Sequence, residues 1–202
     1  MANIAECAFA VDKRDIQFMN GALRKAENGE ISTFITKTTY EHNGDTYELL
    51  EKYCNGSVKC RLKKNGEKKK EAIGHKNVQK VVDALRDMKR IGYEEIKDTH
   101  VENGWFLDWK KLGSYSYEYP ATIHEYDDHI TVYFGARWSF PDSLEDKLDE
   151  FGVLWQGASC EDGMAYEDDC IGNSDFGLRV KSERQCVDGE YYTQHYVEDT
   201  SI

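Results

Sequence analysis

The sequence predicts an α+β fold, a mostly antiparallel sheet with three helices packed on one face. Short stretches of β-branched and aromatic residues alternate with polar ones, which is the period of a strand. Asn43-Gly44 and Asn65-Gly66 separate such stretches, and Asn-Gly is the strongest short signal for a hairpin. Three other stretches, 13–29, 77–93 and 142–151, repeat apolar residues at helical spacing. One layer of helices on one sheet is the simplest way to bury both sets of apolar side chains.

The first predicted helix, 13–29, follows a strand at 3–11. Asn28-Gly29 gives this helix a C-terminal stop, because glycine readily adopts the left-handed conformation of a helix end. The apolar side chains at helical spacing are Ile16, Met19, Leu23 and Ala26.

Two hairpins and the second helix, 77–93, come next. The second hairpin, 57–72, is rich in lysine, and lysine on a strand discourages a sheet edge from pairing with other chains. Gly92 is interpreted as the end of the helix. The apolar stripe of this helix consists of Val78, Val81, Val82, Leu85 and Met88.

The C-terminal half contains the clearest helix signal, "GARWSFPDSLEDKLDEFG". An apolar strand at 127–140 stops at Pro141, the third helix follows, and Gly152 ends it. Before it, the aromatic and glycine-interrupted stretch 102–126 predicts short strands and a loop. Further strands are expected at 153–161, 176–187 and 190–198. Since no Pro-, Ser- or Gly-rich linker divides the chain, we expect one domain over 1–202, with a subdivision near 95–100 as the alternative.

The N-terminal stretch lacks the basic region of a secretory signal, and no apolar window is long enough to cross a bilayer. We therefore expect a cytoplasmic protein without a membrane partner. The six cysteines form no C-x-x-C pair, and cytosolic thiols are kept reduced, so small buried side chains are expected rather than disulfides or zinc ligands.

The net charge of −12 is unevenly distributed along the chain. Residues 59–97 carry a net charge of +7, whereas residues 98–202 carry −16. A strongly acidic segment repels nucleic acid and attracts basic surfaces. This asymmetry indicates a protein that binds a basic partner.

The stretch "FGARWSFPDSLEDKLDEFG", followed by "SCEDGMAYED", resembles the YubB-like family of phage, plasmid and pathogenicity-island accessory proteins. The shared pattern is an aromatic strand ending in Trp-x-x-Pro (138–141), a helix (142–151), a strand and then Glu-x-Gly (161–163). The resemblance covers about forty residues and implies ferredoxin-like elements and a mobile-element origin. It implies no catalytic residues, and no cofactor is expected for the chain.

Two acidic clusters are the leading candidate site. The first lies on one face of the third helix, opposite Leu144 and Leu148, and the second lies in a predicted loop at 161–169. Together they would imitate the phosphates of a nucleic acid, although a solvated helix face is the ordinary interpretation of such charges. The candidate residues are Asp142, Glu145, Asp146, Asp149 and Glu150 on the helix, and Glu161, Asp162, Glu167, Asp168 and Asp169 in the loop.

The leading hypothesis is a non-enzymatic inhibitor of a phage or mobile element. Its acidic surface would block the basic, nucleic-acid-binding site of a host defence protein, of the anti-CRISPR or anti-restriction type. Direct nucleic-acid binding is not expected, and association of copies through oppositely charged ends is left open. Three tyrosines in an aromatic segment are candidate interface anchors, because tyrosine is frequent at interfaces: Tyr115, Tyr117 and Tyr119.

Two alternatives remain. A lysine-rich strip on hairpin 57–72 would hold a phosphate backbone, through Lys59, Arg61, Lys63, Lys64, Lys68, Lys69 and Lys70. Alternatively, the carboxylates at 161–169 would hold Mg²⁺ in a metal-dependent enzyme, although their spacing does not fit the D-x-[DN]-x-[DN]-G loop. "HEYDDH" (124–129) is interpreted as a polar turn between strands, and no Walker, G-x-S-x-G or G-x-G-x-x-G motif is present.

Overall fold

The computed structural model describes residues 4–113, 121–137, 139–161, 166–187 and 190–201. Within these ranges the side chains of 166–170, 187 and 190–192 are not described. The chain forms two compact units: unit 1 comprises residues 1–27 and 101–202, and unit 2 comprises residues 28–100. The expectation of one domain over 1–202 stays a prediction.

Strands dominate both units, and two α-helices are found in the described residues. In chain order the elements are β1 (Ile4–Asp12), β2 (Leu23–Lys25), β3 (Thr33–His42), β4 (Asp45–Cys54), β5 (Ser57–Lys64), β6 (Glu67–Ile73), α1 (His75–Asp83), β7 (Lys89–Glu102), β8 (Trp105–Asp108), β9 (Thr122–Glu125), β10 (His129–Arg137), α2 (Asp142–Phe151), β11 (Trp155–Glu161), β12 (Tyr166–Gly172), β13 (Leu178–Val187) and β14 (Glu190–Asp199). Two short 3₁₀ helices lie at Ile16–Phe18 and Trp109–Leu112.

Unit 1 is built on a five-stranded antiparallel sheet in the order β12-β11-β1-β10-β9. The central strand, β1, is apolar on both faces, so both faces of the sheet are covered. One face packs under α2 and the 3₁₀ helix at 109–112, with Phe9, Phe134 and Trp155 in its core. On the other face, Leu178 of β13 and Val197 of β14 pack over Ala8 and Ala158.

The connection from β10 through α2 to β11 is a split β-α-β unit, because β1 lies between the two strands that the helix joins. The ferredoxin-like pattern has two such units. In the described part of unit 1, no second α-helix takes the corresponding place between β1 and β9. The two 3₁₀ helices, β2, all of unit 2 and β8 occupy that part of the chain instead.

Unit 2 contains strands in the order β7-β3-β4-β5-β6, all paired antiparallel. Both Asn-Gly hairpins are confirmed, with Asn43 and Asn65 at φ of 51° and 50° in the left-handed region that such turns require. Helix α1 covers one face of the sheet, burying Val78 and Val81 against Leu49 and Val58.

The predicted fold class is wrong. The protein is mostly antiparallel β, and the three helices on one sheet face are not found. The predicted helix 13–29 is interrupted at Asn20 and Gly21, whose φ angles of 50° and 70° end any right-handed helix. Met19 and Leu23 are instead buried in the core of unit 1, and Leu23 lies on β2, which pairs with β8.

The predicted helix 77–93 is wrong in its second half. Helix α1 begins at His75 and ends at Asp83, and β7 begins at Lys89. Gly92 therefore lies within a strand, opposite Thr39 of β3. The gain from pairing with β3 outweighs the helical spacing of the local sequence, as tertiary contacts commonly do.

Candidate partner-binding surface

Helix α2 is held in place by two leucines. Leu144 and Leu148 are fully buried in the core of unit 1, one helical turn apart. The helix begins after Pro141, whose fixed φ suits a helix start, and ends at Gly152 with φ of 67°. The predicted and observed boundaries of α2 agree. The two buried leucines determine which face of the helix points away from the core.

The acidic helix face consists of Asp142, Glu145, Asp146 and Glu150. Asp142, Asp146 and Glu150 are exposed, and Glu145 is half-buried. Successive members at i and i+4 are separated by about 6 Å along the helix axis. The whole helix carries five carboxylates and Lys147, a net charge of −4. Over its length of about 15 Å this is one net charge per roughly 4 Å, close to the 3.4 Å spacing of a single DNA strand.

Asp149, the fifth carboxylate of α2, has a structural task. Its Oδ1 accepts a hydrogen bond of 2.8 Å from the indole Nε1 of Trp155, whose ring is fully buried. This bond satisfies the polar atom of a buried tryptophan and ties α2 to β11. Asp149 is therefore left out of the acidic helix face. Lys147 pairs with Glu150 and neutralises part of the charge at the C-terminal end.

The second acidic cluster does not have the predicted form. Glu161 is the last residue of β11, is 3% exposed, and has a buried Oε1 without a hydrogen-bond partner among the described residues. It therefore adds nothing to an exposed surface. Residues 166–172 form the edge strand β12 rather than a loop, so Glu167, Asp168 and Asp169 lie on a strand. Asp162 and the side chains of the other three lie outside the described residues.

The basic strip divides between the two faces of the unit 2 sheet. Val58 and Cys60 of β5 point towards α1, so the alternating Lys59, Arg61 and Lys63 lie on the opposite face. We call these three residues the basic sheet face. A groove of about 170 Å³ on this face is lined by Lys37, Glu48, Leu50, Arg61 and Lys63.

Several lysines of the strip are already neutralised. Lys64 pairs with Asp45 at 2.6 Å, Lys69 pairs with Glu67 at 2.9 Å, and both Arg61 and Lys68 pair with Glu71. Lys59, Lys63 and Lys70 form no ion pair with the described residues. The seven predicted basic residues are therefore divided by sheet face and by ion pairing, and their binding of phosphate stays a prediction.

The "HEYDDH" stretch is a turn between β9 and β10, as the sequence indicated. The structure adds a buried network that the sequence did not predict. His129 Nε2 lies 2.8 Å from Asp199 Oδ2, and His129 Nδ1 lies 2.6 Å from Asp128 Oδ1. Thr131 also donates to Asp199 Oδ2, at 2.7 Å. Because Asp199 is seventy residues from His129, no local pattern could have indicated this pairing.

Burial raises the pKa of Asp199, but hydrogen bonds from Ser201, His129 and Thr131 outweigh it, and the net pKa lies below the usual value. Hydrogen bonds from Lys25, Lys13 and Trp105 lower the pKa of Glu125, at the end of β9, to about 2. Both carboxylates join elements of unit 1 and are therefore structural.

A cleft of about 370 Å³ lies between β14 and the five-stranded sheet of unit 1. Its lining combines Glu6, Thr122, Tyr133 and His195 with apolar backbone and side-chain atoms. Glu6 Oε1 accepts a hydrogen bond of 3.1 Å from the amide of Val197, and His195 Nδ1 lies 2.9 Å from Ser182 Oγ. These contacts fasten β14 to its neighbours and do not form a recognisable catalytic arrangement.

Five of the six cysteines are described, and no disulfide joins any two of these five. Cys7, Cys60 and Cys160 are buried, Cys54 is half-buried, and Cys186 is exposed. Burial raises the pKa of the Cys7 thiol well above its usual range. No group of three or more His, Cys, Asp or Glu side chains in the described part of the chain is arranged to hold a metal ion. Tyr115, Tyr117 and Tyr119 fall in 114–120, outside the described residues.

Neither helix in the described residues is long and apolar enough to cross a membrane. Comparisons with protein-family models, with curated proteins and with solved structures found no match to the chain. The resemblance to the YubB-like family stays a prediction.

Proposed function

We propose that the protein is a non-enzymatic binding protein whose acidic helix face occupies a basic, nucleic-acid-binding surface of a partner protein. The observation that carries this proposal is the row of exposed carboxylates on α2. Asp142, Asp146 and Glu150 succeed one another by single helical turns on a helix whose other face is fixed in the core. A rigid row of charges binds a basic groove at a lower entropic cost than a flexible acidic loop.

The stability of α2 does not require these charges. Like charges at i and i+4 cost about 0.2–0.5 kcal/mol per pair in an isolated helix, and Asp142–Asp146 and Asp146–Glu150 are two such pairs. Leu144, Leu148 and the bond from Asp149 to Trp155 already hold the helix. The unfavourable pairs therefore support a role in binding.

The same proposal includes the class of partner protein. The resemblance to mobile-element accessory proteins supports a nucleic-acid-binding defence effector of the host, met in the host cytoplasm. Residues 98–202 carry a net charge of −16. This charge supports a positively charged partner surface, because an acidic surface speeds encounter with a basic one.

The test compares proteins captured from a nuclease-treated bacterial lysate by the wild-type chain and by the triple variant Asp142→Asn, Asp146→Asn, Glu150→Gln. Bound proteins are eluted with duplex DNA, so that only proteins held through a nucleic-acid-binding surface are scored. We expect DNA-eluted proteins with the wild type and their loss with the triple variant.

A matched control changes the net charge equally at three exposed carboxylates that do not belong to α2, through Asp87→Asn, Asp127→Asn and Glu198→Gln. This control should capture the same proteins as the wild type. Equal capture by the wild type and the α2 triple variant would remove the helix from the mechanism. Equal loss in both variants would show that only total charge matters.

A second candidate function is supported by the basic sheet face of unit 2. Lys59 and Lys63 carry no ion pair with the described residues and flank Arg61 on one face, beside the groove. This arrangement would contact phosphates of a nucleic acid without base specificity. Fluorescent duplex DNA and single-stranded RNA, titrated at low salt, test it. Binding with a steep salt dependence that Lys59→Glu and Lys63→Glu abolish would favour this function over the acidic mimic.

The metal-dependent enzyme considered for 161–169 stays a prediction. Glu161 is buried, and the other carboxylates of the segment lie outside the described side chains. A rise in unfolding temperature with Mg²⁺, Ca²⁺ or Mn²⁺ would support it, since a bound ion stabilises the folded state.

A further inference from the structure

The hairpin of β13 and β14 covers only part of one face of the five-stranded sheet. Its apolar side chains pack over the β1 and β11 part of this face. Tyr133 of β10 points to the same face, because its neighbour Val132 lies in the core on the other face. Thr122 and His124 of β9 do so as well, because Ile123 between them lies in that other core, and both are exposed. A cleft is therefore left open between β14 and the strands β10 and β9.

The cleft beside β14, with a volume of about 370 Å³, shares part of its lining with a second cavity of about 410 Å³. Glu6, Thr122 and Tyr133 line both, so the two volumes belong to one depression in the surface of unit 1. Residues 194–199 of β14 form the opposite wall. Each volume lies within the range of about 300–1,000 Å³ that small-molecule sites occupy. We call this depression the tyrosine cleft, after Tyr126 and Tyr133, which both line it.

Three aromatic rings stand together at one end of the tyrosine cleft. The His124 ring centre lies 5.5 Å from that of Tyr133, at an angle of 77°, and 6.4 Å from that of Tyr126, at 20°. Tyr126 also stacks on the buried His129 ring at 4.7 Å, and the two tyrosine hydroxyls share a hydrogen bond. Burial raises the pKa of both tyrosine hydroxyls, so both rings stay neutral phenols. Because the fold holds these rings in place, a ligand meets them at a low entropic cost.

The charged side chains that line the tyrosine cleft are acidic. They are Glu6, Glu198 and Asp199, and its described lining residues include no lysine or arginine. Glu6 and Glu198 are exposed, whereas Asp199 is buried. Glu6 Oε1 accepts a hydrogen bond of 3.1 Å from the amide of Val197, and Glu198 lies 4.0 Å from Lys181. Such a lining attracts a cation and repels an anion.

Aromatic faces beside a carboxylate are a suitable environment for an organic ammonium group. The face of a tyrosine ring attracts a cation within about 6 Å of the ring centre, and quaternary ammonium ligands are commonly bound in this way. Among the described residues, the cations of the chain itself lie over other rings, namely Phe106, Trp105, Tyr47 and Tyr93. The rings of the tyrosine cleft therefore differ from these four in having their cation still to be supplied by a ligand.

We propose that the tyrosine cleft binds an alkylammonium group, placed against the rings of Tyr126 and Tyr133 with the Glu6 carboxylate as its counter-ion. A free small molecule and a methylated lysine side chain of a peptide both present this group. The proposal does not rest on the acidic helix face, because α2 packs on the other face of the sheet. The two binding sites can therefore be tested, and can fail, separately.

The test is titration calorimetry with choline and with 3,3-dimethylbutan-1-ol, which has the same shape and no charge. Sodium chloride keeps the ionic strength constant, so that a general salt effect does not appear as binding. We expect choline to bind and its neutral counterpart to bind about tenfold more weakly or less, because the rings and Glu6 act on the charge. A peptide carrying one trimethyllysine is titrated alongside. Tighter binding of the peptide would assign the ammonium group to a protein side chain, and tighter binding of choline would assign it to a small molecule.

Two variants locate the site. Glu6→Gln removes the charge and keeps an oxygen for the Val197 amide, and it should weaken choline binding about fivefold. Tyr133→Leu removes an aromatic face and keeps an apolar side chain against the core, and it should weaken binding about threefold or more. A matched control, Asp146→Asn, makes the same charge change as Glu6→Gln on exposed α2 and should bind choline like the wild type. Circular dichroism checks that each variant is folded.

Three results would overturn the proposal. The first is that neither choline nor the peptide binds at millimolar concentration. The second is equal binding of choline and its neutral counterpart, which would show that the cleft recognises shape alone. The third is equal weakening by Glu6→Gln and Asp146→Asn, which would show that only the total charge of the protein acts on the ligand.

Discussion

Removal of the Asp199 carboxylate should destabilise unit 1 severely. Asp199 lies at the end of β14, and its side chain is fully buried against β10. It accepts hydrogen bonds from His129 Nε2 at 2.8 Å, from Thr131 Oγ1 at 2.7 Å and from the amide of Ser201 at 3.0 Å. The Ser201 hydroxyl also donates to Asp199 Oδ1, so Asp199→Ala leaves four donors without this acceptor.

The expected loss of stability in Asp199→Ala follows from the burial of the Asp199 side chain. Leaving a buried hydrogen-bond donor without its acceptor costs about 1–3 kcal/mol, so losing an acceptor that several buried donors share should cost about 3 kcal/mol or more. Asp128 provides an internal comparison, since it bonds the other nitrogen of the same ring while its own side chain is 76% exposed. Water replaces an exposed partner, so we expect Asp128→Ala to cost about 1 kcal/mol or less.

Urea unfolding monitored by tryptophan fluorescence is the assay. All four tryptophans, at 105, 109, 138 and 155, fall in the sequence of unit 1, so the signal reports this unit. A double-mutant cycle with Thr131→Val should show coupling, because both side chains share one hydrogen bond. Equal losses of stability in Asp199→Ala and Asp128→Ala would refute the reasoning.

The loss of stability caused by Asp199→Ala should also depend on pH. The net pKa of Asp199 lies below the usual value, so its folded form binds a proton less readily than its unfolded form. Its stabilisation is then fully present above the ordinary carboxyl pKa of about 4 and is lost as the pH falls through the lower folded value. The difference between wild type and Asp199→Ala should therefore shrink below about pH 4.

Three further predictions concern unit 1 and use the same unfolding assay. Asp149→Ala leaves the Trp155 indole N–H without its acceptor and should cost about 1–3 kcal/mol, whereas Asp146→Ala, on the acidic helix face, should cost less than about 0.5 kcal/mol. Gly172→Ala should destabilise strongly, because its φ is 107° and a Cβ would lie 2.6 Å from the carbonyl oxygen of Trp155. Gly104→Ala, also in unit 1, with φ of 78° and no atom within 4 Å, should cost less. Glu161→Met removes a buried oxygen without a partner, so stability should stay equal or rise; a loss above about 2 kcal/mol would show that this carboxylate has a partner.

Local signals predicted the elements that depend on near neighbours. Helix α2 begins after Pro141 and ends at Gly152, as expected. The two Asn-Gly turns form hairpins because their residues have the positive φ angles that such a turn requires. The side of α2 that faces solvent was also predictable, since Leu144 and Leu148 define the buried side by their spacing.

The two helix predictions failed where pairing between distant segments competed with local spacing. Residues 89–93 were included in the predicted helix that the spacing of Val78 to Met88 indicated, yet they pair with β3, fifty residues earlier in the chain. Residues 23–25 similarly pair with β8, which follows eighty residues later. A sheet gains its hydrogen bonds from such distant partners, and a local period does not reveal them.

The features of the candidate site also fall into two groups, those that local spacing predicts and those that depend on distant segments. The sequence by itself determined that α2 presents carboxylates to solvent, because helical geometry follows from residue spacing. Only the tertiary structure decided that Asp149 bonds to Trp155 and that Glu161 is buried. Each of these depends on which segments meet in space, and burial is a property of the folded surroundings rather than of the residue.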